Sequence, residues 1–350
     1  MIELRDESVR VRYILDKCGE IFGDKVVVGN TSFIDEGVMN FIYKVETSEG
    51  DLFFKQALID VKNKGKVKQD LASIPHQRIK YEKNVIDKLK MVIPDKIVLP
   101  RIHMYDEMNN ILILSDVRGR GELLQNALLS GDFDTNIASN IGIFLGLSHK
   151  LTYGFRNTVR DDIEEDKKNW EIFLNMRTRG IASSQKLSKK VGSELGRFYY
   201  DVLNNNTYDV LINMDCCPKN IFQRKDKSIG VIDFELASGV GDPAYDVGFI
   251  LGHYFLFSIL KDNPKNAIDS IHAIVDTYVE CIGDLNIGDL ISRVIKYAGA
   301  VMPYRVVGSS PAGYIPKDRH EELISKGSRI ILSNVNSLDE VVLLLKKESI

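Results

Sequence analysis

The change of hydrophobic period about a third of the way along the chain most constrains its fold. Before the change, short runs rich in Val, Ile, Phe and Tyr predict β-strands, with a hairpin turn at 49–52 and one helix over 76–90. After it, apolar residues recur at helical spacing, apart from brief strand character over 208–238. The pattern therefore predicts an α+β protein with a small β-rich N-terminal lobe at 1–117 and a larger, mainly helical C-terminal lobe at 118–350.

Length and charge limit the classes of protein that this chain can belong to. It has 350 residues, which is long for one compact core and suits two lobes. The net charge of -3 provides no basic field that would attract nucleic acid or a membrane surface. The charged N-terminus lacks the apolar stretch of a signal peptide, and the four cysteines lack a zinc-site spacing. We therefore expect a cytoplasmic protein without nucleic-acid or membrane partners.

Two polar residues interrupt the apolar stretch 211–222 at a spacing that suggests phosphoryl transfer. Asp215 is followed five positions later by Asn220. Transfer to a hydroxyl needs an acceptor for the hydroxyl proton and oxygen ligands that hold Mg²⁺ against the nucleotide phosphates. We therefore expect Asp215 to be the catalytic base and Asn220 a magnesium ligand. A simple turn stabilised by the same side chains is the alternative.

A pair of acids follows a short apolar strand in the sequence "GVIDFE". Asp233 ends this strand, and Glu235 lies two residues beyond it. Mg²⁺ prefers carboxylate and carbonyl oxygens, so we expect Asp233 to be a second magnesium ligand. Glu235 would contact a second ion or a metal-bound water, with an exposed acid at the strand end as the alternative.

Asp246, in the sequence "GDPAYDVG", precedes a long helical stretch. An Asp at such a place either caps the helix or braces a neighbouring loop with its carboxylate. We predict that Asp246 braces the backbone of the loop that carries Asp215.

The stretches "NMDCCPKNIF" and "VIDFELASGVGDPAYDVG" resemble the aminoglycoside phosphotransferase and choline kinase group of small-molecule kinases. That group commonly has H-G-D-x-x-x-x-N, then D-F-D or D-F-E, then G-D-P-x-x-D. The resemblance implies a two-lobed, protein-kinase-like fold and the use of ATP and Mg²⁺. Asn213 replaces the usual His, which in the group is a structural brace. Because Asn can also donate and accept hydrogen bonds, we expect Asn213 to keep the loop in shape.

The resemblance extends to a lysine and a glutamate in the N-terminal third. Lys55, at the end of the apolar strand "LFFKQA", matches the lysine that binds the α- and β-phosphates in the group. Glu82, on the predicted helix that follows, is the expected ion-pair partner of this lysine.

Two further segments would complete a nucleotide site by the same resemblance. The loop at 35–40 would cover the phosphates, with Gly37 as its single glycine and Asn40 at its end. Backbone groups from Ser115 to Val117 would bind the adenine at the hinge between the lobes.

Within the group, the one-glycine loop, the "KQA" after the lysine and the late "YRVVG" are most similar to methylthioribose kinases. In that family a late pair of arginines approaches the sugar, and Arg305 is the matching residue here. The resemblance therefore implies that Arg305 binds the acceptor and that the protein forms a homodimer. A charge at the end of a surface helix is the alternative interpretation of Arg305.

Together these features predict an ATP- and Mg²⁺-dependent kinase for a hydroxyl of a small molecule, a sugar such as methylthioribose or a related pentose. An aminoglycoside-type antibiotic phosphotransferase is the first alternative. It would need an acid-lined acceptor cleft, and the segment 161–168 is the compact acidic run. A nucleotide-binding pseudokinase that acts through partners is the second alternative, supported by the replacement at Asn213.

Overall fold

The computed structural model describes residues 2–35, 39–58, 77–154, 159–182, 184–261, 264–285, 287–309 and 311–346. The strands in these residues are β1 (Val28–Ile34), β2 (Phe41–Thr47), β3 (Leu52–Gln56), β4 (Ile97–Val98), β5 (Ile102–Asp106), β6 (Ile111–Ser115), β7 (Glu122–Leu123), β8 (Ile221–Gln223) and β9 (Ile229–Val231). The α-helices are α1 (Glu7–Phe22), α2 (Arg78–Leu89), α3 (Leu124–Ser130), α4 (Thr135–Thr152), α5 (Ile163–Ala182), α6 (Lys189–Asn205), α7 (Pro243–Lys261), α8 (Pro264–Ile282), α9 (Leu290–Val307), α10 (His320–Leu332) and α11 (Leu338–Lys346).

The strands predicted in the N-terminal third form an antiparallel sheet in the order β1-β2-β3-β6-β5. Within it, Lys55 of β3 pairs with Leu112 of β6, so these two side chains emerge on the same face. That face is covered by α2, whose apolar residues share a core with Leu112. The opposite face, which carries Phe54, packs against α1. The register of the sheet therefore directs Lys55 towards α2.

The helix α1 precedes the sheet and is not indicated by the strand-rich pattern. It begins after Asp6, whose side chain accepts hydrogen bonds from the backbone N–H groups of Ser8 and Val9. Only Ile14 and Cys18 are buried along its length. Tyr13, Ile21 and Phe22 are partly buried beside them, so the capping residue Asp6 and this stripe together mark the helix.

A second, smaller sheet has the order β4-β9-β8-β7. Its strand β4 lies inside the predicted N-terminal lobe, yet it pairs in parallel with β9. The antiparallel hairpin of β8 and β9 agrees with the strand character predicted over 208–238. At the base of this hairpin the N–H of Ile232 donates to the carbonyl of Asn220. The hairpin therefore brings Asn220 next to Asp233 in space.

The helical part is built around two close helix pairs, α4 with α8 and α7 with α9. A Cβ added to Gly252 of α7 would lie 2.5 Å from the Cβ of Val301, so the pair requires glycine there. Of the described helices, α7 is long and apolar enough to cross a membrane, but 94% of its apolar window is buried inside the protein. It is therefore a core helix. The small antiparallel sheet and the larger helical part confirm the predicted α+β fold class.

Candidate active site

The loop that carries Asp215 is held from below by Asp246, which lies fully buried in the first turn of α7. The Asp246 carboxylate accepts hydrogen bonds from the backbone N–H groups of Asn213 at 2.6 Å and Met214 at 2.9 Å. His149 Nε2 lies 3.3 Å from the same carboxylate. Loss of this buried acceptor would leave both N–H groups unpaired. The contacts give Asp246 the position that a brace needs.

Met214 adopts a φ of 69°, a left-handed conformation that favours glycine. It occupies the place of the glycine in the H-G-D pattern. Asp246 holds the N–H of Met214, and Arg177 Nη1 donates to its carbonyl at 2.6 Å. Contacts on both sides thus stabilise the strained residue and fix the direction of Asp215, which follows it.

The side chain of Asn213 bonds within its own loop. Its Oδ1 accepts the N–H of Asp215 at 3.2 Å. Its Nδ2 is buried and has no hydrogen-bond partner among the described residues. A cavity of about 10 Å³ adjoins Asn213, Phe234 and Asp246. The described contact of the Asn213 side chain therefore lies within the loop of Asp215.

Both oxygens of the Asp215 carboxylate are engaged. Arg177 Nη2 donates to Oδ1 at 2.7 Å, and Asn220 Nδ2 donates to Oδ2 at 2.9 Å. Lys219 Nζ lies 3.1 Å from Oδ2. Burial raises the pKa of Asp215, but Lys219 and Arg177 outweigh burial and lower the pKa to about 2. The carboxyl is therefore ionised at neutral pH, as a catalytic base must be.

A group of acids from both parts of the chain surrounds Lys55. Its Nζ lies 2.7 Å from Glu82 Oε2, 2.6 Å from Asp233 Oδ1 and 3.6 Å from Glu235 Oε2. Glu82 comes from α2, whereas Asp233 and Glu235 follow β9. Glu235 is 4% exposed, so it is a buried member of this group and not a surface acid at a strand end.

The oxygens of Glu82, Asp233 and Glu235 all lie within 4.8 Å of one another. Within the part of the chain that the structure describes, these three acids outnumber the neighbouring cations Lys55 and Arg78, the latter with Nε 3.7 Å from Glu235. Burial raises the pKa of Glu82 to about 7, in spite of Lys55 and with the help of the other two acids. A surplus of negative charge on hard oxygen donors fits Mg²⁺.

Asn40 joins this acidic group through its buried side chain. Its amide donates to Glu235, and Arg78 Nε donates to its Oδ1 at 2.9 Å. Arg78 also donates to the carbonyl of Met39 at 2.8 Å. Asn40 thereby ties the end of the predicted phosphate loop to the acids, whereas Gly37 lies outside the described residues.

Two of the backbone groups predicted to bind adenine already have partners in the protein. The N–H of Ser115 donates to the carbonyl of Arg101 at 2.9 Å. The carbonyl of Val117 accepts from Arg224 Nη1 at 2.6 Å. An adenine that bonded to these two groups would compete with these contacts.

Arg305, in the last turn of α9, belongs to a group of cations beside the loop of Asp215. These cations affect the pKa of one buried thiol. Burial raises the pKa of Cys217 to about 12, while Lys219, Arg305 and Arg177 lower it. Arg305 therefore lies within electrostatic reach of Cys217, two residues after Asp215.

Arg177 is the functional candidate that the sequence patterns missed. It lies on α5, is 7% exposed, and contacts Asp215, Met214 and Tyr245. Its guanidinium also lies 4.2 Å from the ring centroid of Phe249. No motif spacing connects α5 to the catalytic loop. The one available signal is that an arginine interrupts the apolar stripe of an amphipathic helix.

Comparison with known proteins identifies the family of this chain. A model described as "Phosphotransferase enzyme family" matches residues 31–268. The chain belongs to this family. The match spans Lys55, the loop of Asp215 and the two acids Asp233 and Glu235, and it confirms the predicted resemblance. The protein is therefore a small-molecule kinase that transfers a phosphoryl group to a hydroxyl.

Two curated relatives of this phosphotransferase have kinase names. Methylthioribose kinase from Bacillus cereus is 20% identical over 342 residues, which span 85% of this chain and 82% of the relative. The 4-hydroxytryptamine kinase of Psilocybe cyanescens is 25% identical over 189 residues, which span 48% of this chain and 49% of the relative.

Solved structures show the fold of the phosphotransferase. The choline kinase LicA from Streptococcus pneumoniae has a TM-score of 0.52 at 12% identity, covering 92% of this chain and 98% of that one. A choline/ethanolamine kinase family protein from Mesorhizobium loti has a TM-score of 0.53 at 12% identity, covering 97% and 99%. These similarities confirm the two-lobed, protein-kinase-like fold.

Proposed function

We propose that this phosphotransferase transfers the γ-phosphoryl group of ATP to a hydroxyl of a small sugar, methylthioribose or a related pentose. The observation that carries the proposal is the environment of Asp215. An ionised carboxyl is held rigidly beside Asn220, one hairpin away from the acids around Lys55. Such an arrangement can align a hydroxyl with a phosphate chain and accept its proton.

Each residue of the site has a role in this proposal. Asp215 accepts the proton of the attacking hydroxyl, and Lys55, held by Glu82, binds the α- and β-phosphates. Asn220 and Asp233 would hold Mg²⁺, with Glu235 beside a second ion or a metal-bound water. Bound Mg²⁺ supplies charge neutralisation across the phosphates.

The remaining predicted residues frame this site. Asp246 and Asn213 brace the catalytic loop, and Arg305 contacts the acceptor. Gly37 and Asn40 belong to the loop over the phosphates, and the stretch 115–117 lies at the adenine.

The charge around the acceptor side supports a sugar over a polycationic antibiotic. Arg177 and Lys219 both pair with Asp215, and Arg305 lies within electrostatic reach of the nearby Cys217, so these three cations exceed the charge of Asp215. Three acids of the run at 161–168 already have cationic partners, Asp161 with Lys80, Glu164 with Lys167 and Asp166 with Arg160. A polycation such as an aminoglycoside would be repelled by this surplus of positive charge.

A catalytic function is also better supported than a pseudokinase. Asp215 is hydrogen-bonded to Asn220 and Lys55 is paired with Asp233, while Asp246 accepts from the backbone of the loop in which Asn213 replaces His. A protein that only bound nucleotide would have no need for the ionised carboxyl of Asp215.

The test is acceptor-dependent release of ADP from Mg-ATP, with methylthioribose, ribose analogues, aminoglycosides, choline and homoserine as acceptors. We expect turnover with a pentose that is lost in Asp215→Ala, while ATP affinity stays nearly unchanged. Turnover with aminoglycosides or choline alone would contradict the substrate class. Loss of ATP binding together with turnover in the variant would contradict the role of Asp215.

Three properties complete the proposal as predictions. The protein would work in the cytoplasm as a homodimer, with the boundary between its lobes near residues 117 and 118. Light scattering of the purified protein would give the mass of the particle and test the dimer.

A further inference from the structure

Lys219 has a position at the active site that no family motif accounts for. It lies in the 3-10 turn Pro218–Asn220, between the base and the predicted metal ligand in sequence. Its Nζ is 3.1 Å from Asp215 Oδ2, and its side chain is 51% exposed. An ammonium group on a flexible stem thus lies at the open side of the catalytic carboxyl.

The contacts of Asp215 differ in how easily they can be released. Arg177 is buried and is also bonded to Met214 and Tyr245, so its hold on Oδ1 is fixed. Asn220 belongs to the backbone turn that begins the β8–β9 hairpin. Lys219 is the partner with a long side chain that already reaches solvent, and it covers Oδ2.

Catalysis requires that this cover is removed. To accept a proton, Asp215 needs an oxygen within hydrogen-bond distance of the acceptor hydroxyl. The incoming phosphates also bring negative charge into the space between Asp215 and Asp233.

We propose that Lys219 is a catalytic residue whose ammonium moves from Asp215 to the γ-phosphoryl group when Mg-ATP binds. The movement uncovers Oδ2 of the base and places a cation on the group being transferred. The inference rests on the proposed function of the same site. Negative charge on the equatorial oxygens of the transferring group is what such a cation stabilises.

The reaction then proceeds in one transfer. The acceptor oxygen forms a bond to the γ-phosphorus while the bond from that phosphorus to the bridging oxygen breaks. The electron pair of the broken bond leaves with ADP, and the hydroxyl proton passes to Asp215. Lys219 forms no covalent bond and keeps its proton throughout.

The test compares Lys219→Met with Lys219→Arg and with the control Lys167→Met. Lys167 is also 51% exposed and lies 2.8 Å from an acid, Glu164, but it is on the surface of α5. We measure turnover with the acceptor, affinity for Mg-ATP, and affinity for Mg-ADP with aluminium fluoride, which imitates the transferring phosphoryl group. Thermal melts verify that each variant is folded.

We expect Lys219→Met to lower kcat about 10²–10³-fold, with Mg-ATP affinity changed no more than a few-fold. Affinity for the aluminium fluoride complex should fall with kcat, because the lost contact is stronger in the transition state than with bound Mg-ATP. Lys219→Arg should recover part of both, and Lys167→Met should change neither.

Unchanged affinity of Lys219→Met for the aluminium fluoride complex would overturn the inference, whatever happens to kcat. This binding measurement needs no acceptor. It therefore separates failure of the inference from failure of the proposed function, which would appear as a wild-type protein without turnover on the acceptor panel.

Discussion

Met214 shows how a single residue is held in a conformation that its side chain disfavours. The left-handed backbone at φ 69° costs a non-glycine residue about 1–2 kcal/mol. The cost is offset because the N–H and the carbonyl of Met214 both have charged partners, Asp246 and Arg177. The strain therefore lies where the chain must turn to present Asp215.

We predict that Met214→Val destabilises the protein more than its loss of volume explains. A β-branched side chain is an outlier at positive φ, which should add about 1 kcal/mol or more to the cavity cost. The matched control is Met302→Val, because Met302 is also fully buried but lies inside α9. Chemical denaturation gives both free energies of unfolding, and equal losses would show that φ at Met214 carries no cost.

Spacing in the sequence can predict which residues one local motif brings together. Asp215, Asn220 and Asp233 are brought together by a single hairpin, so their separation along the chain reflects their separation in space. Arg177 could not be found in this way, because its distance from Asp215 is set by the packing of α5. The unpaired Nδ2 of Asn213 depends on the shape of its cavity, which no residue pattern reveals.

At the scale of elements, the short segment 159–161 contacts the helix α2 and holds it in position. Asn84 of α2 donates to the carbonyl of Val159 at 3.1 Å, and the Arg160 guanidinium lies 4.8 Å from the ring centroid of Tyr81. Arg160 also donates at 2.7 Å to the carbonyl of Ala237, just beyond the metal acids. The segment thereby links the helix that carries Glu82 to the chain that follows Glu235.

We predict that Arg160→Met loosens α2 and weakens binding of Mg-ATP. The variant leaves Asp166 buried without its cation, which should lower the free energy of unfolding by about 3 kcal/mol. ATP affinity should fall several-fold, because Glu82 would hold Lys55 less firmly. Denaturant titration and nucleotide binding measure the two effects.

Asp161→Ala is the control for this change. It removes the exposed ion pair with Lys80, which should alter stability by less than about 0.5 kcal/mol. If Arg160→Met weakened the fold but left ATP affinity as in Asp161→Ala, the segment would support the core without positioning α2.

The elements themselves were predicted where hydrophobic period and burial agree. The strands β2, β3 and β6 alternate with polar turns, and α2 has a full apolar stripe, so the sequence predicted these elements. The helix α1 has two buried residues and gave no such pattern. The parallel pairing of β4 with β9 joins distant segments, and no local preference could indicate it.

At the scale of the whole molecule, the sheet lobe and the helical part meet around Lys55. The lysine and Glu82 come from one side, and Asp233 and Glu235 from the other. In the absence of a metal ion the ammonium is the shared counter-charge of these acids. Lys55 and a divalent cation are therefore expected to compete for the same surplus of negative charge.

We predict that Lys55→Met makes Mg²⁺ alone a better stabiliser of the protein. Without the ammonium, the pKa of Glu82 rises further, Asp233 and Glu235 lose the counter-charge that Lys55 provides, and the melting temperature should fall. Mg²⁺ without nucleotide should then raise the melting temperature of the variant more than that of the wild type. Mg²⁺ at ten times its Kd contributes about 1.4 kcal/mol.

Mg-ATP should stabilise the variant less than the wild type. In the proposed function Lys55 binds the phosphates, and the variant loses that contact. The control is Lys44→Met, which removes a lysine of the neighbouring strand that pairs with Glu46 and Asp51 and not with the acids around Lys55. Its response to Mg²⁺ should match that of the wild type. If Mg²⁺ stabilised all three proteins equally, the acids around Lys55 would not be the metal site. The two parts of the molecule would then be joined there by an ordinary buried ion pair.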